Sequence, residues 1–457
     1  MITRLQRYKK KCKVRKKSIK LSTKADGRQI VGGGCFFLYF CAMISNVQNI
    51  SIEEYGYPLP EDRIAMYPLA ERDASKLLVM RGGAIGEDCF RNIGDYLPEN
   101  SVLIFNETKV VRARLQFVKD SGAAIEIFCL EPVTGNGDYQ VAFSAGSPVE
   151  WRCLVGNSRR WKEGALAMPL TVNRSGGTRG CTSVLLTAER LEKSDAYSLI
   201  RFSWEPADIS FAEVLEAAGE IPLPPYLHRE AEPSDRERYQ TVFAKHEGSV
   251  AAPTASLHLT KPLIAKLKEQ GHCIEEVTLH VGAGTFRPVA TDTIGEHEMH
   301  SETIIVKRQT IEHLRDSVNR TIIPVGTTSM RTIESVYWIG VMLLEQGFDE
   351  RDIHVNQWLP YQDRASLPSA KESLEAIVKY LETHHLDTLH ATTALMIAPS
   401  YPIKMTKALI TNFHQPKSTL LLLVSALIGD KWKEAYQYAL EHDFRFLSYG
   451  DSCLFIP

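Results

Sequence analysis

No two cysteines in this chain stand at a CxxC or metal-ligand spacing; the nine are scattered at positions 12, 35, 41, 89, 129, 153, 181, 273 and 453. That scatter excludes a disulfide framework and reads as free thiols in a reducing cytosol. Nor does any apolar run reach the length of a membrane span. GGGCFFLYFCAM (32–43) falls short, and so does LLLLVSALIG (420–429), which reads as a buried helix. There is no HExxH zinc helix and no third glycine or following helix to complete a dinucleotide fingerprint. No internal repeat is found, and no low-complexity tract beyond the N-terminus.

Charge is unevenly placed. Residues 1–42 hold 12 Lys/Arg and one Asp, and ten of the first twenty residues are Lys or Arg. The remainder carries a formal charge of −13, which argues against indiscriminate polyanion binding. The basic start and short apolar run resemble a signal peptide, but no small-residue cleavage site follows. Residues 1–42 are expected to be a non-structural, disordered extension, with Met43 where a natural start would stand.

What is present is an ordinary globular composition, 44% hydrophobic and 24% charged, over 457 residues, enough for two or three domains. KLLVM (76–80) reads as a strand, and SVLIFNETKVVRARL (101–115) is a second apolar run broken by the polar Asn106, Glu107 and Thr108. AIEIFCL, YQVAFSA, WRCLVG and LIRFSW are short β-rich runs separated by turn residues, the pattern of a small antiparallel barrel. From about residue 206 strands alternate with helices. Thr260 caps KPLIAKLKEQG, CIEEVTLHV (273–281) is a strand, RTIIPV (320–325) leads into a helix through GTTS, and KALITNF (407–413) leads into another through HQPKS. That alternation predicts an α/β sheet with parallel strands. The expected organisation is an α/β domain from 43–110 and 206–457, with a β-barrel domain inserted at 111–205.

Ligands of α/β sheets bind beyond the carboxyl ends of the strands. Four polar loops stand at such places. GSVAAPTASLH (248–258) is rich in small residues and offers Thr254 and His258. TLHVGAGTFRPV (278–289) brings His280, Gly282, Gly284, Thr285 and Arg287, with glycines that let a ligand approach the backbone. GTTSMRTIES (326–335) places Gly326, Thr327 and Thr328 at a helix start suited to an anion. There Ser329 serves equally as a plain cap, and Arg331 with Glu334 as a surface pair. ITNFHQPKSTL (410–420) crowds Asn412, His414, Lys417 and Ser418 together. GEHEMHSE (295–302) adds His297 and His300, better suited to proton transfer than to a metal. Each of these histidines could equally be a satisfied core ring.

Together with RDASKLLV (72–79), FNETKVVRARL (105–115), IPLPPY (221–226), RYQTVFA (238–244) and FRFLSYGD (444–451), these loops resemble the S-adenosylmethionine:tRNA ribosyltransferase-isomerase family of queuosine biosynthesis. The resemblance runs from about 55 to 455. It implies a large α/β domain with an inserted small β-barrel. It also implies transfer and isomerisation of the ribosyl part of S-adenosylmethionine onto preQ1 in tRNA, giving epoxyqueuosine, adenine and methionine. S-adenosylmethionine would be a co-substrate, with no tightly bound cofactor, no metal and no membrane partner, in a cytoplasmic monomer. His280, His297, His300 and His414 would be the acid/base candidates. The GTTS helix start would hold the methionine carboxylate, while Thr254, Thr285, Asn412 and Ser418 would orient ribose or adenine. Arg72, Arg112 and Arg114 would contact tRNA phosphates.

Some positions depart from the family pattern. Ser256 and Leu259 replace a Gly-Leu turn, APSYPIKM (398–405) replaces a glycine-tyrosine turn, Gln415 stands where leucine is usual, and 345–400 is longer than expected. A divergent enzyme with another acceptor, or an inert RNA- or ligand-binding relative, therefore stays open on sequence. RRWK (159–162) and RER (236–238) are the local basic runs, though such runs are commonly solvated faces.

Overall fold

A computed structural model describes residues 47–134, 139–173, 181–194, 197–282, 289–346 and 353–457. The expectations for residues 1–42, and for Gly284, Thr285 and Arg287, lie outside the described residues.

Ten strands form one sheet, in the order His354–Val355, Thr388–Thr393, Glu302–Lys307, Cys273–Leu279, Val102–Asn106, Ile322–Val325, Leu409–Asn412, Ser452–Ile456, Lys76–Arg81 and Ala84–Cys89. The expectation of parallel strands holds for the centre, where Cys273–Leu279, Val102–Asn106, Ile322–Val325 and Leu409–Asn412 run together. It fails toward the edges, where antiparallel pairs appear. One cause is local: Gly82 and Gly83, at φ of 57° and 95°, make the two-residue turn that folds Ala84–Cys89 back on Lys76–Arg81.

The helices follow their sequence signals. Thr260 accepts from the Leu263 amide and starts Lys261–Glu269, and Ser418 does the same for Leu421 at the head of Thr419–Ile428. Thr327–Gln346 follows Gly326, whose φ of 96° turns the chain from strand to helix. Its apolar residues, Met330 to Leu343, lie in the main core beside the Thr419–Ile428 helix.

A second sheet of seven strands lies, in sequence, between the large-sheet strands Val102–Asn106 and Cys273–Leu279, so it is an insertion. Its pairings are antiparallel throughout, and its Arg114–Val118 strand approaches Leu166–Asn173, curling it toward a barrel. Trp151, Trp161, Phe202 and Phe211 fill its own core. The fold is thus α/β with an inserted antiparallel half-barrel. One β-rich run proves helical: YQVAFSA forms the helix Tyr139–Ser144. Ala142 and Phe143 are buried and Tyr139 half-buried, while Val141 is exposed. That spacing is one helical face rather than strand alternation.

Candidate active site

The four central strands end on the same side, and the loops that leave Cys273–Leu279, Ile322–Val325 and Leu409–Asn412, with the loop after the short strand His246–Ser249, enclose one cleft of about 870 Å³, its open mouth included. Ala251–Ala255 form one wall, Val281 another, Gly326–Thr328 the third, and Thr411–Gln415 with Ser418–Leu420 the fourth. All four loops expected from sequence therefore meet. Tyr226, Tyr239, Leu447 and Ser448 complete the lining. These four were not singled out, although IPLPPY, RYQTVFA and FRFLSYGD mark the segments that carry them.

The first turn of Thr327–Gln346 faces this space. The leading amides of a helix have no partner within it, and the dipole adds positive potential. Thr328 Oγ1 is buried without a protein partner among the described residues. Ser329 is not the cap: its hydroxyl donates to the Val325 carbonyl at 3.0 Å. Thr254 opens a short 3-10 turn on the adjoining wall, where a Cβ on Gly326 would lie 3.7 Å from Ala255 Cβ.

His280 is buried just before Val281, with Nδ1 3.0 Å from Thr108 Oγ1. The surrounding backbone is fitted to the ring: a Cβ on Gly248 would lie 2.5 Å from Nδ1. His414 lines the cleft itself. Its Nε2 lies 2.9 Å from Thr411 Oγ1, its amide donates to Tyr436 OH, and Tyr57 OH donates to its carbonyl. Burial pushes its pKa down to about 3, so the ring is neutral and poorly basic at neutral pH.

His297 and His300 stand outside the cleft lining, on the segment before Glu302–Lys307. Burial, then the neighbouring His300, lowers the pKa of His297. His300 Nε2 lies 3.1 Å from Glu302 Oε1, and Glu302 Oε2 accepts from Arg331 at 2.8 Å. Burial alone would raise the Glu302 carboxyl, but Arg331 and His300 hold it below its ordinary range. Glu302 also accepts from the Gly282 amide at 3.2 Å, tying the glycine loop to this chain of charges. Arg331 lines a second, smaller space with Met299, Met396 and Leu423, which shares Thr327, Thr328, Thr419 and Leu420 with the main cleft.

Several expectations need correction. Arg331 and Glu334 are not a surface pair. Glu334 is fully buried and accepts from the amides of Lys404, Met405 and Thr406 and from Tyr401 OH. His258 is behind the cleft wall, not in it. Its Nδ1 lies 2.8 Å from Ser75 Oγ and its Nε2 3.1 Å from Asn412 Oδ1. Asn412 reaches the lining but spends its amide on the Leu447 and Ser448 carbonyls, and Ser418 is the helix cap.

The three arginines expected to meet phosphate are also committed elsewhere. Arg72 donates to the Gln240, Leu257 and Glu237 carbonyls, Arg112 pairs with Glu216 at 2.6 Å, and Arg114 lies 3.8 Å from Glu126 and over Phe128. No three His, Cys, Asp or Glu side chains converge as metal ligands among the described residues. No helix among them is long and apolar enough to cross a membrane.

Comparison with known proteins matches residues 52–455 to the model of a family described as queuosine biosynthesis protein. A relative from an Azoarcus species, named S-adenosylmethionine:tRNA ribosyltransferase-isomerase, is 35% identical over 89% of this chain and 97% of its own length. One of the same name from Halothermothrix orenii is 36% identical over 89% of this chain and 100% of its own length. A solved S-adenosylmethionine tRNA ribosyltransferase from Thermotoga maritima is 26% identical, with a TM-score of 0.41, covering 88% of this chain and 99% of that one. With the family pattern running along nearly all of the described fold, the chain belongs to the queuosine biosynthesis protein family.

Proposed function

We propose that this chain transfers and isomerises the ribosyl part of S-adenosylmethionine onto preQ1 (7-aminomethyl-7-deazaguanine) in tRNA, giving epoxyqueuosine-tRNA and releasing adenine and methionine. The observation that carries the reading is the meeting of four family-pattern loops, 248–258, 278–282, 326–335 and 410–420, at one cleft.

S-adenosylmethionine is the co-substrate bound in that cleft, and no tightly bound cofactor takes part. Its methionine carboxylate lies against the Gly326–Thr328 helix start, where amides and dipole favour an anion. The sulfonium acidifies the adjacent C5′ hydrogens, so a positioned base can remove one, and adenine needs a proton or hydrogen bonds to depart. His280, oriented by Thr108 and next to the lining residue Val281, is the group for these transfers in the cleft, and His300, oriented by Glu302, stands outside the lining beside Gly282, on the groove side from which the acceptor would enter. His414 serves as a neutral hydrogen-bonding wall. The inserted β unit, expected at 111–205 within an α/β unit of 43–110 and 206–457, has a core of its own that runs on through Phe211 and Leu215, with Gly219–Glu220 in its sheet, which favours an end nearer 220. The protein works as a cytoplasmic monomer.

Incubation with S-adenosylmethionine and preQ1-bearing tRNA, followed by nucleoside analysis and assay of free adenine, tests the reading. Epoxyqueuosine with adenine is the expected result. Adenine appearing only with another acceptor would replace the acceptor, a change consistent with Gln415 in the lining. Binding of S-adenosylmethionine without turnover would overturn the enzymatic reading.

A further inference from the structure

With Arg72, Arg112 and Arg114 committed internally and a body of net charge −13, the described surface must meet the tRNA backbone somewhere else. The small sheet carries a candidate at one end. Lys119 begins the hairpin between the Arg114–Val118 and Ala124–Pro132 strands, where its amide donates to the Ala123 carbonyl. Beside it runs the segment after Val149–Val155, held there by the Gly156 amide on Glu126 and by Asn157 Nδ2 on Ala124. The 3-10 turn Ser158–Arg160 follows, and Lys119 Nζ donates to the Arg160 carbonyl.

Trp161 decides what this turn presents. It is 2% exposed, lies in the core of the small sheet, donates to the Gly164 carbonyl at 2.8 Å and packs under the Arg190 guanidinium at 4.3 Å. With the indole plugged inward, Arg159, Arg160 and Lys162 are all exposed. None of them, nor Lys119, has an ion-pair partner among the described residues. The flanking Asp120 and Glu163 are exposed and likewise form no pair there. Most other cations near the small sheet, Arg114, Arg152 and Arg201 among them, are matched to Glu126, Glu131 and Glu150. A solvated charge run has no need of a buried tryptophan holding it in shape.

We infer that the knob formed by Lys119, Arg159, Arg160 and Lys162 is a docking point for the RNA phosphate backbone, contacting tRNA away from the reacting nucleotide. It rests on the proposed function for the identity of the RNA. The opposite end of the same strands, at Glu131 and Arg152, lines a wide groove with His300 and Asn356. From Ala124 to Glu131 the strand spans roughly 23 Å at the usual strand rise. A nucleotide entering the groove and a backbone resting on the knob therefore define a direction across the small sheet.

The test is binding of preQ1-bearing tRNA across a series of potassium chloride concentrations. R159A/R160A/K162A is compared with wild type and with K261A/K266A/K268A, a control on the exposed face of another helix. The knob variant is expected to flatten the log affinity against log salt slope by about 2–3 and to weaken binding at least ~10-fold at low salt. S-adenosylmethionine binding should stay as in wild type. Should the triple variant fail to fold, the single changes R159A, R160A and K162A should each flatten the slope by about 0.7–0.9. Wild-type tRNA affinity and slope in the knob variants would overturn the inference and leave the proposed function standing. So would equal flattening by the control, which would mean diffuse attraction. Absence of tRNA binding by the wild type would overturn both.

Discussion

At the scale of single residues, the fate of the arginines separates what a sequence exposes from what it hides. Arg331 was visible as a residue beside an anion-suited helix start, but its partner, Glu302, is 29 positions away on another element. The pair is buried, so removing one charge strands the other. E302Q or R331M alone is expected to cost about 3–5 kcal/mol in urea unfolding, and E302M/R331M to recover most of that. A double loss equal to the sum of the two single losses would mean that the two side chains stabilise independently. Arg72 hides its role in the same way, because the carbonyls it clamps lie 165 to 185 residues along the chain. Glu334 gathers amides 70 to 72 residues away. Caps such as Thr260 and Ser418 were legible because their partners are three residues away.

At the scale of elements, the glycine-rich loops were readable as places of close approach, but not what approaches. Gly248 shows the difference. Its φ of 151° and its contact with the His280 ring mean that the loop 248–258 is shaped to another loop's side chain. G248A should push the ring off Thr108 and lower turnover on the order of 100-fold, the scale of an ångström-sized misplacement in a site. Steady-state kinetics beside a urea melt check this. Unchanged turnover would remove His280 from the chemistry. The helix Tyr139–Ser144 escapes a sequence reading because Tyr139, Val141 and Phe143 alternate as in a strand, whereas the burial of 139, 142 and 143 follows a helical face.

At the scale of the whole molecule, buried imidazoles govern the response to acid. Burial pushes His258 to about 4 and His414 to about 3, both from an ordinary 6.5. Between those values the unfolded chain binds more protons than the folded one, so stability rises with pH up to about 6.5 and falls below it. Glu302, also held low, adds its loss in a more acid range, beneath its ordinary 4.5. The thermal midpoint should therefore drop steadily on acidification through this window, and less steeply in H414Q. An equal slope in that variant would mean that the ring is not neutral in the fold.

The order of strands carries one more consequence. Ser452–Ile456 sits between Leu409–Asn412 and Lys76–Arg81, paired to both. The hairpin of Lys76–Arg81 and Ala84–Cys89 is thus synthesised long before the strand that becomes its neighbour. Until then Leu77, Leu78 and Met80 present an unpaired apolar edge, the kind of edge on which nascent chains aggregate. The inserted half-barrel, whose strands all emerge long before that, can close early and hold solubility while the large sheet is still incomplete.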